Sequence, residues 1–232
     1  MPEQPRGLVV AVDGPSGSGK STVSREVARR LGLAYLDTGA MYRAVCWWCL
    51  ETGVDLQDAE AVARAARALD LRMVPDPAAP RVLVAGREVS AALRESRIST
   101  AVSAVATNPA VRAELLRRQR EILAEASAPG RPGVVAEGRD ITTVVAPDAD
   151  VRLLLTADEG ARLARRAREL HGSTDAEAVE RTRDEVLRRD RDDSTVSTFH
   201  VAADGVVTVD SSGMDLHQTV AAVLQLVEDS AA

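Results

Sequence analysis

The sequence predicts an α/β fold: a parallel sheet covered by helices on both faces, with a small antiparallel β insert. Three observations carry this. Strand-sized apolar runs alternate with stretches of helical periodicity along all 232 residues, the pattern of crossover units that bury a sheet between two helix layers. A glycine-rich turn joins the first such run to the first helix. Residues from about 71 to 90 break the rhythm, giving three short β-like segments divided by prolines and by Ala85–Gly86.

Leu8–Val12 is a continuous apolar run bounded by Gly7 and Gly14, as a strand buried on both faces requires. From Gly19 the spacing changes, since Val23, Val27 and Leu31 recur every four residues and Gly32 follows as a stop. Leu33–Leu36 reads as the second strand, and Ala40–Glu51 as a helix ending near Gly53. Asp58 caps a helix that runs to about Leu69. In the insert, Leu71–Val74, Arg81–Ala85 and Glu88–Val89 are the strands, with Pro75, Pro77 and Pro80 in one connection. Helical periodicity returns near Arg97, and again from Pro109, a favourable first-turn residue, through about Ala126. Gly133–Ala136 and Val151–Thr156 are the third and fourth core strands. An arginine-studded helix then spans Asp158–Leu170, and a polar break at His171–Thr174 leads to a second charged helix reaching about Arg191. Val206–Val209 is the fifth strand, and Leu216–Val227 closes as an amphipathic helix.

Composition sets limits. With 45% hydrophobic and 28% charged residues, the chain has the makeup of one globular domain over 1–232. A net charge of −6 argues against nucleic acid or an anionic membrane as partner. No apolar run approaches the roughly 20 residues of a membrane span, and Met1–Gly7 holds no signal-like apolar segment. Cys46 and Cys49 are the only cysteines, so the reducing cytoplasm is the expectation; a monomer is the default. Their C-x-x-C lies mid-helix with no second ligand pair, and reads as incidental packing. His171, His200 and His217 are scattered and are given no role.

Chemistry concentrates in four clusters. Gly14-Pro15-Ser16-Gly17-Ser18-Gly19-Lys20-Ser21 fits G-x-x-x-x-G-K-[ST] at every fixed position, and Thr22 follows. Its glycines let consecutive backbone N–H groups face the phosphates of ATP, and the next helix aims its positive end there. Lys20 then reaches the β- and γ-phosphates, while the Ser21 hydroxyl holds Mg²⁺. Lys20 is also the single lysine among 29 basic residues; every other is arginine. A position where only a compact ammonium fits explains its survival. This loop serves kinases, GTPases and switches alike.

The second cluster, Leu36–Arg43, leaves the second strand and enters a helix, placing Thr38, Tyr42 and Arg43 at the carboxyl edge where open α/β sheets bind ligands. Its bland alternative is a capped helix with a solvated arginine. Glu137-Gly138-Arg139-Asp140 follows the third strand and brings an arginine and carboxylates to the same edge. The fourth cluster is the array Arg162, Arg165, Arg166 and Arg168, then Arg188, Arg189 and Arg191. Two basic helices around a polar break can lie as a lid over phosphates, or form a solvated face paired with Glu and Asp.

Together, GPSGSGKST (14–22), LDTGAMYRA (36–44), the insert near 71–90, VVAEGRDITTVV (134–145) and RRDRDDS (188–194) resemble the bacterial cytidylate kinases, a branch of the P-loop nucleoside monophosphate kinases, from about Leu8 to Val227. The resemblance implies a P-loop NTPase-type five-stranded parallel sheet. Core segments would be about 7–38, 109–157 and 204–232, with an acceptor-binding arm at about 39–108 and an arginine-rich helical lid at about 158–195. It implies transfer of the ATP γ-phosphoryl to CMP or dCMP, with UMP a poorer acceptor. Gly14–Thr22 would bind ATP. Tyr42, Arg43 and Arg139 would contact the acceptor phosphate, and Thr38, which keeps a hydroxyl where serine is common, would also bind CMP. Ser103, Arg112 and Asp140 would read cytosine, and Arg189 and Asp193 would hold the ribose. Lys20, Arg162, Arg165 and Arg166 would carry transition-state charge. Asp13, Asp37 and Glu137 are candidates for ordering the waters of the metal on Ser21. The chain departs from the family at Val196, where arginine is usual, and in a shortened stretch up to Ala203. A kinase of another acceptor, such as UMP, AMP or a small metabolite, and a slow ATP-hydrolysing regulator stand as alternatives.

Overall fold

The computed structural model describes residues 5–230. Five parallel strands, β1 (Leu8–Asp13), β2 (Ala34–Asp37), β6 (Gly133–Gly138), β7 (Val151–Thr156) and β8 (Val207–Asp210), form a sheet in the order β2-β6-β1-β7-β8. β1 lies at the centre, in register with β6 from Leu8↔Gly133 to Asp13↔Gly138. Side-chain alternation feeds two cores. Val9 and Ala11 of β1 pack with Val134, Ala136 and Leu36 toward one helix layer, while Val10 and Val12 pack with Val135 and Tyr35 toward the other. The first layer holds α2 (Thr38–Glu51), α3 (Ala59–Ala68), α4 (Ser96–Ala106) and α5 (Pro109–Ala126); the second holds α1 (Lys20–Leu31) and α8 (Leu216–Ser230). Leu36, Met41, Ile98, Leu115 and Leu153 are fully buried. Truncating one to alanine is expected to cost about 2–5 kcal/mol.

The expected α/β class and the insert are both present, the latter as antiparallel β3 (Leu71–Val74), β4 (Arg81–Val84) and β5 (Arg87–Glu88). Helix starts follow their caps: the Asp58 and Asn108 side chains accept from Ala61 N–H and Ala110 N–H, and Asp37 accepts from Ala40 N–H at 2.8 Å, starting α2 at Thr38, two residues before the expected Ala40. The charged helices are α6 (Glu159–His171) and α7 (Ala176–Ser194), capped by Asp158 and Asp175. α7 runs past Arg191 to Ser194, which places Arg189, Asp190 and Asp193 on adjacent turns of one rigid helix.

One element has no periodic signal. Ile141–Val145 winds as a π-helical turn after β6. It is pinned by Asp13, whose two carboxylate oxygens accept from Ile141 N–H, Thr142 N–H and the Thr142 hydroxyl at 2.7–2.8 Å. Among the described residues, no helix is long and apolar enough to cross a membrane.

Candidate active site

Three sequence clusters end on three adjacent strands. In the order β2-β6-β1, their carboxyl ends deliver Asp37–Arg43, Glu137–Asp140 and the loop from Gly14. In that loop Gly17 has φ +76°, and a Cβ there would stand 2.5 Å from the Arg162 carbonyl oxygen, so only glycine lets α6 approach so closely. Ser18 N–H and Lys20 Nζ both donate to the Pro15 carbonyl, each at 3.3 Å, folding the loop into a tight turn before α1.

A large cleft opens over these strand ends. Ser16–Thr22 line it, together with Thr38, Tyr42, Arg43, Arg112, Arg139, Asp140, Arg165, Arg166, Arg189 and Asp193. Four sequence-named residues stand apart. Gly14 and Pro15 are buried at the base of the loop. Ser103 lies off the cleft, its carbonyl accepting from Thr107, while Ser99 and Val102 of the same helix form the wall. Arg162 is buried behind the loop, its Nη1 donating to Asp190 and to the Ser16 carbonyl.

The cleft holds an excess of cations. Burial and the neighbouring Arg139 and Arg189 lower Lys20 from the usual lysine value to about 7, against the pull of Glu137. Burial, with Arg139 and Arg43 alongside, lowers Arg189 to about 10. Its nearest carboxylate, Asp193, is 3.9 Å away. Proteins assemble such mutually repelling charge where an anion is to be bound. Arg43 rests on Asp37 at 2.7 Å. Burial pushes Asp37 up, but Arg43, the Ala40 N–H and Lys20 outweigh it and hold this carboxyl below its ordinary value.

Across the cleft, Arg112 donates to Asp140 at 2.6 Å. Burial raises Asp140, with Arg112 opposing. The pair offers a carboxylate acceptor and guanidinium donors side by side. Beneath it the Tyr42 phenol is pushed up to about 12, chiefly by burial.

The three carboxylates named for the metal differ in availability. Asp13 is occupied by the π-helical turn and Asp37 by its cap and Arg43. Glu137 is held less completely: its Oε1 accepts from the Tyr35 phenol, and it is buried and raised chiefly by burial, with Lys20 and the Ser21 hydroxyl helping to hold it down. Among the described residues no group of three or more acidic, His or Cys side chains forms a metal cage. One hydroxyl and one carboxylate nearby fit Mg²⁺ carried on nucleotide phosphates, since that ion keeps most of its waters.

Sequence reading missed several contributors. Tyr35, a core strand residue by pattern, donates its phenol to Glu137 at 2.5 Å. Phe199, the chain's only phenylalanine, is fully buried beneath the Arg139 guanidinium at 4.7 Å. Asp190 sat unremarked inside a charge run.

The profile of the cytidylate kinase family matches residues 10–229. A "Cytidylate kinase" of Streptomyces avermitilis is 44% identical over 226 residues, covering 97% of this chain and 94% of that one. Another, of Cutibacterium acnes, is 48% identical over 95% of this chain and 96% of its own. A solved sugar kinase from Janibacter shares the fold, with a TM-score of 0.50 and 14% identity over 96% of this chain and 95% of that one. Matched from end to end by profile and relatives, the chain belongs to the cytidylate kinase family and is a nucleoside monophosphate kinase, a phosphotransferase.

Proposed function

We propose that the chain transfers the γ-phosphoryl group of ATP to the 5′-phosphate of CMP and dCMP, with UMP a poorer acceptor. The observation that carries this reading is the crowding of Lys20, Arg139 and Arg189 in one cleft, where burial and the nearby Arg139 lower both Lys20 and Arg189. Two polyanions supply the missing counter-charge.

The loop N–H groups of Gly17–Ser21 and Lys20 cradle the donor phosphates. Arg165, which bonds the Ser18 and Ser211 carbonyls and the Ser211 hydroxyl, secures the loop's outer side. Arg43, Arg139, Arg189 and Tyr42 receive the acceptor phosphate, with the Thr38 hydroxyl fixed on the Glu137 carbonyl at 2.7 Å. Arg189 and Asp193 then lie beside the ribose, and α6 and α7 serve as the lid that carries Arg166 to the cleft. Asp140 accepts from the cytosine amino group and Arg112 donates to its O2 and N3. Uracil sets a carbonyl against Asp140 and strands a buried charge, which rejects it. In the in-line step an acceptor phosphate oxygen bonds to the γ-phosphorus as the bond to the β–γ bridging oxygen breaks, leaving ADP. The acceptor phosphate is already an anion, so no general base is required. The Ser21 hydroxyl would hold Mg²⁺, with Glu137 near its waters, and the ion would supply charge neutralisation at the phosphates.

ADP release from ATP–Mg²⁺ in a coupled assay with CMP, dCMP, UMP, AMP or no acceptor tests this. Rapid release with CMP and dCMP, weak with UMP and near zero with AMP is expected. Equal slow release in every tube would refute the acceptor assignment and favour a hydrolysing regulator.

A further inference from the structure

Asp190 ties together parts of the molecule that handle different substrates. Its Oδ1 accepts from the Ser16 N–H at 2.9 Å, and its Oδ2 faces Nη1 of Arg162. Arg162 also donates to the Ser16 carbonyl at 2.9 Å, so the phosphate loop is gripped at Ser16 on both its N–H and its C=O. Asp190 is 4% exposed, Ser16 7% and Arg162 8%, and neither Asp190 nor Arg162 lines the cleft. On the opposite side Arg139 Nη2 stands 3.5 Å from Asp190 Oδ1, while its Nη1 donates to the Gly14 carbonyl and its Nε to Asp193 at 3.0 Å.

Two consequences follow from this wiring. Arg189 and Asp193, which line the cleft, share α7 with Asp190, so a tilt of that helix that moves them also moves the group holding Ser16. Arg139 bonds the loop carbonyl and the two α7 carboxylates, and an acceptor phosphate would compete for the same N–H groups. Filling the acceptor side therefore alters what holds the donor loop. A ligand shifts an equilibrium only through such differential contacts.

We propose that Asp190 is a positioning residue that couples the acceptor site to the phosphate loop, so that donor and acceptor nucleotides bind synergistically. This rests on the two-nucleotide reading above. It gives Arg162 a latching role, in place of contact with the transferred phosphoryl.

The test is Asp190→Asn, which keeps the shape but removes the charge between two arginines. CMP binding is measured by calorimetry with and without ADP, a pair that cannot react. In the wild type ADP should tighten CMP binding, by about 5- to 150-fold if the coupling is of ordinary size. In Asp190→Asn that ratio should fall to near one, with turnover reduced, while circular dichroism shows an intact fold. A purely structural residue would lower the melting temperature and leave the ratio unchanged, which overturns the proposal; so does a wild type without synergy. Should Asp190→Asn not fold, Arg162→Lys serves, because the lysine keeps the charge but its ammonium ends one bond short of Nη1, the single atom that donates to both Asp190 and the Ser16 carbonyl; the ratio should drop there too, and an unchanged one overturns the coupling. A wild type that turns over CMP yet keeps its ratio in the variant defeats the coupling alone. One that never turns over CMP defeats the two-nucleotide reading as well.

Discussion

Two sets of cations sit within one site and differ in what surrounds them. Arg162 and Arg165 are engaged by the protein itself, the first by Asp190 and Ser16, the second by Ser18, Ser211 and Met214. Lys20 and Arg189 are buried and crowded by other cations, and both effects disfavour their charged forms. A satisfied arginine is structural scaffolding, whereas a frustrated cation is an instruction to bind an anion. The difference lies in the reach of carboxylates and carbonyls, and both sets read alike in the sequence.

The sharpest break between the sets is a split of activity from stability. Lys20→Ala should lower turnover by about 10²–10³-fold, the scale of losing one preorganised electrostatic partner. Its melting temperature should hold or rise, because a repelled charge has been removed. Arg162→Ala should act mainly on stability, with a smaller loss of turnover from unlatching Ser16. It leaves the buried Asp190 only the Ser16 N–H and Arg139 at 3.5 Å, and breaking such a buried pair costs about 3–5 kcal/mol. At about 2–4 °C per kcal/mol for a chain of this size, thermal melts resolve that easily. If Lys20→Ala is strongly destabilised, or Arg162→Ala melts like the wild type, the division fails.

A smaller effect separates the Arg112–Asp140 wall, proposed to read the base, from the side proposed to hold the phosphates. Asp140→Asn replaces an acceptor-only group with one that can also donate, so it should erode the preference for CMP over UMP by about tenfold, the worth of roughly one hydrogen bond to a charged group. Turnover with saturating CMP should change far less than in Lys20→Ala. Competition kinetics with the two acceptors measure the ratio; an unchanged preference removes Asp140 from base recognition.

How much of this was legible depends on whether the meaning sits in consecutive residues. The tight turn over Gly14–Ser21 was, because the left-handed backbone at Gly17 and Gly19 calls for glycines that a short motif encodes. The alternation of strands and helices was, since each of β1, β2 and β6 sends successive residues to opposite cores. The π-helical turn was not: ITTVV carries no period, and Asp13, more than 100 residues away in sequence, fixes it. Nor was the fate of the α6 arginines. Spacing put Arg162, Arg165 and Arg166 near one another, but Asp190 and the Ser16 carbonyl, which decide where Arg162 points, belong to other elements. Tyr35 and Phe199 went unmarked for the same reason, as apolar pattern hides a phenol's hydrogen bond or a ring beneath a guanidinium.

The mildest test addresses the frustrated lysine in the intact protein. With Lys20 lowered to about 7, its ammonium is mostly deprotonated in the free protein at pH 8. A polyphosphate favours the charged form, so binding ADP without added divalent ion should take up a proton, approaching one per site. Affinity should then fall by up to about tenfold per pH unit above 7, levelling off once the bound form also deprotonates. The unliganded fold should respond with the opposite sign. The unfolded chain holds this proton up to about 10.5 and the folded one only to about 7, so this group's contribution to stability grows as pH rises between those values. Calorimetry in buffers of different ionisation enthalpy reads the uptake directly, and Lys20→Ala supplies the blank. Uptake in the wild type and none in the variant would place the missing counter-charge on the donor phosphates. Equal values in both would mean that Lys20 is already charged, and would move the frustration to the arginines of the acceptor wall.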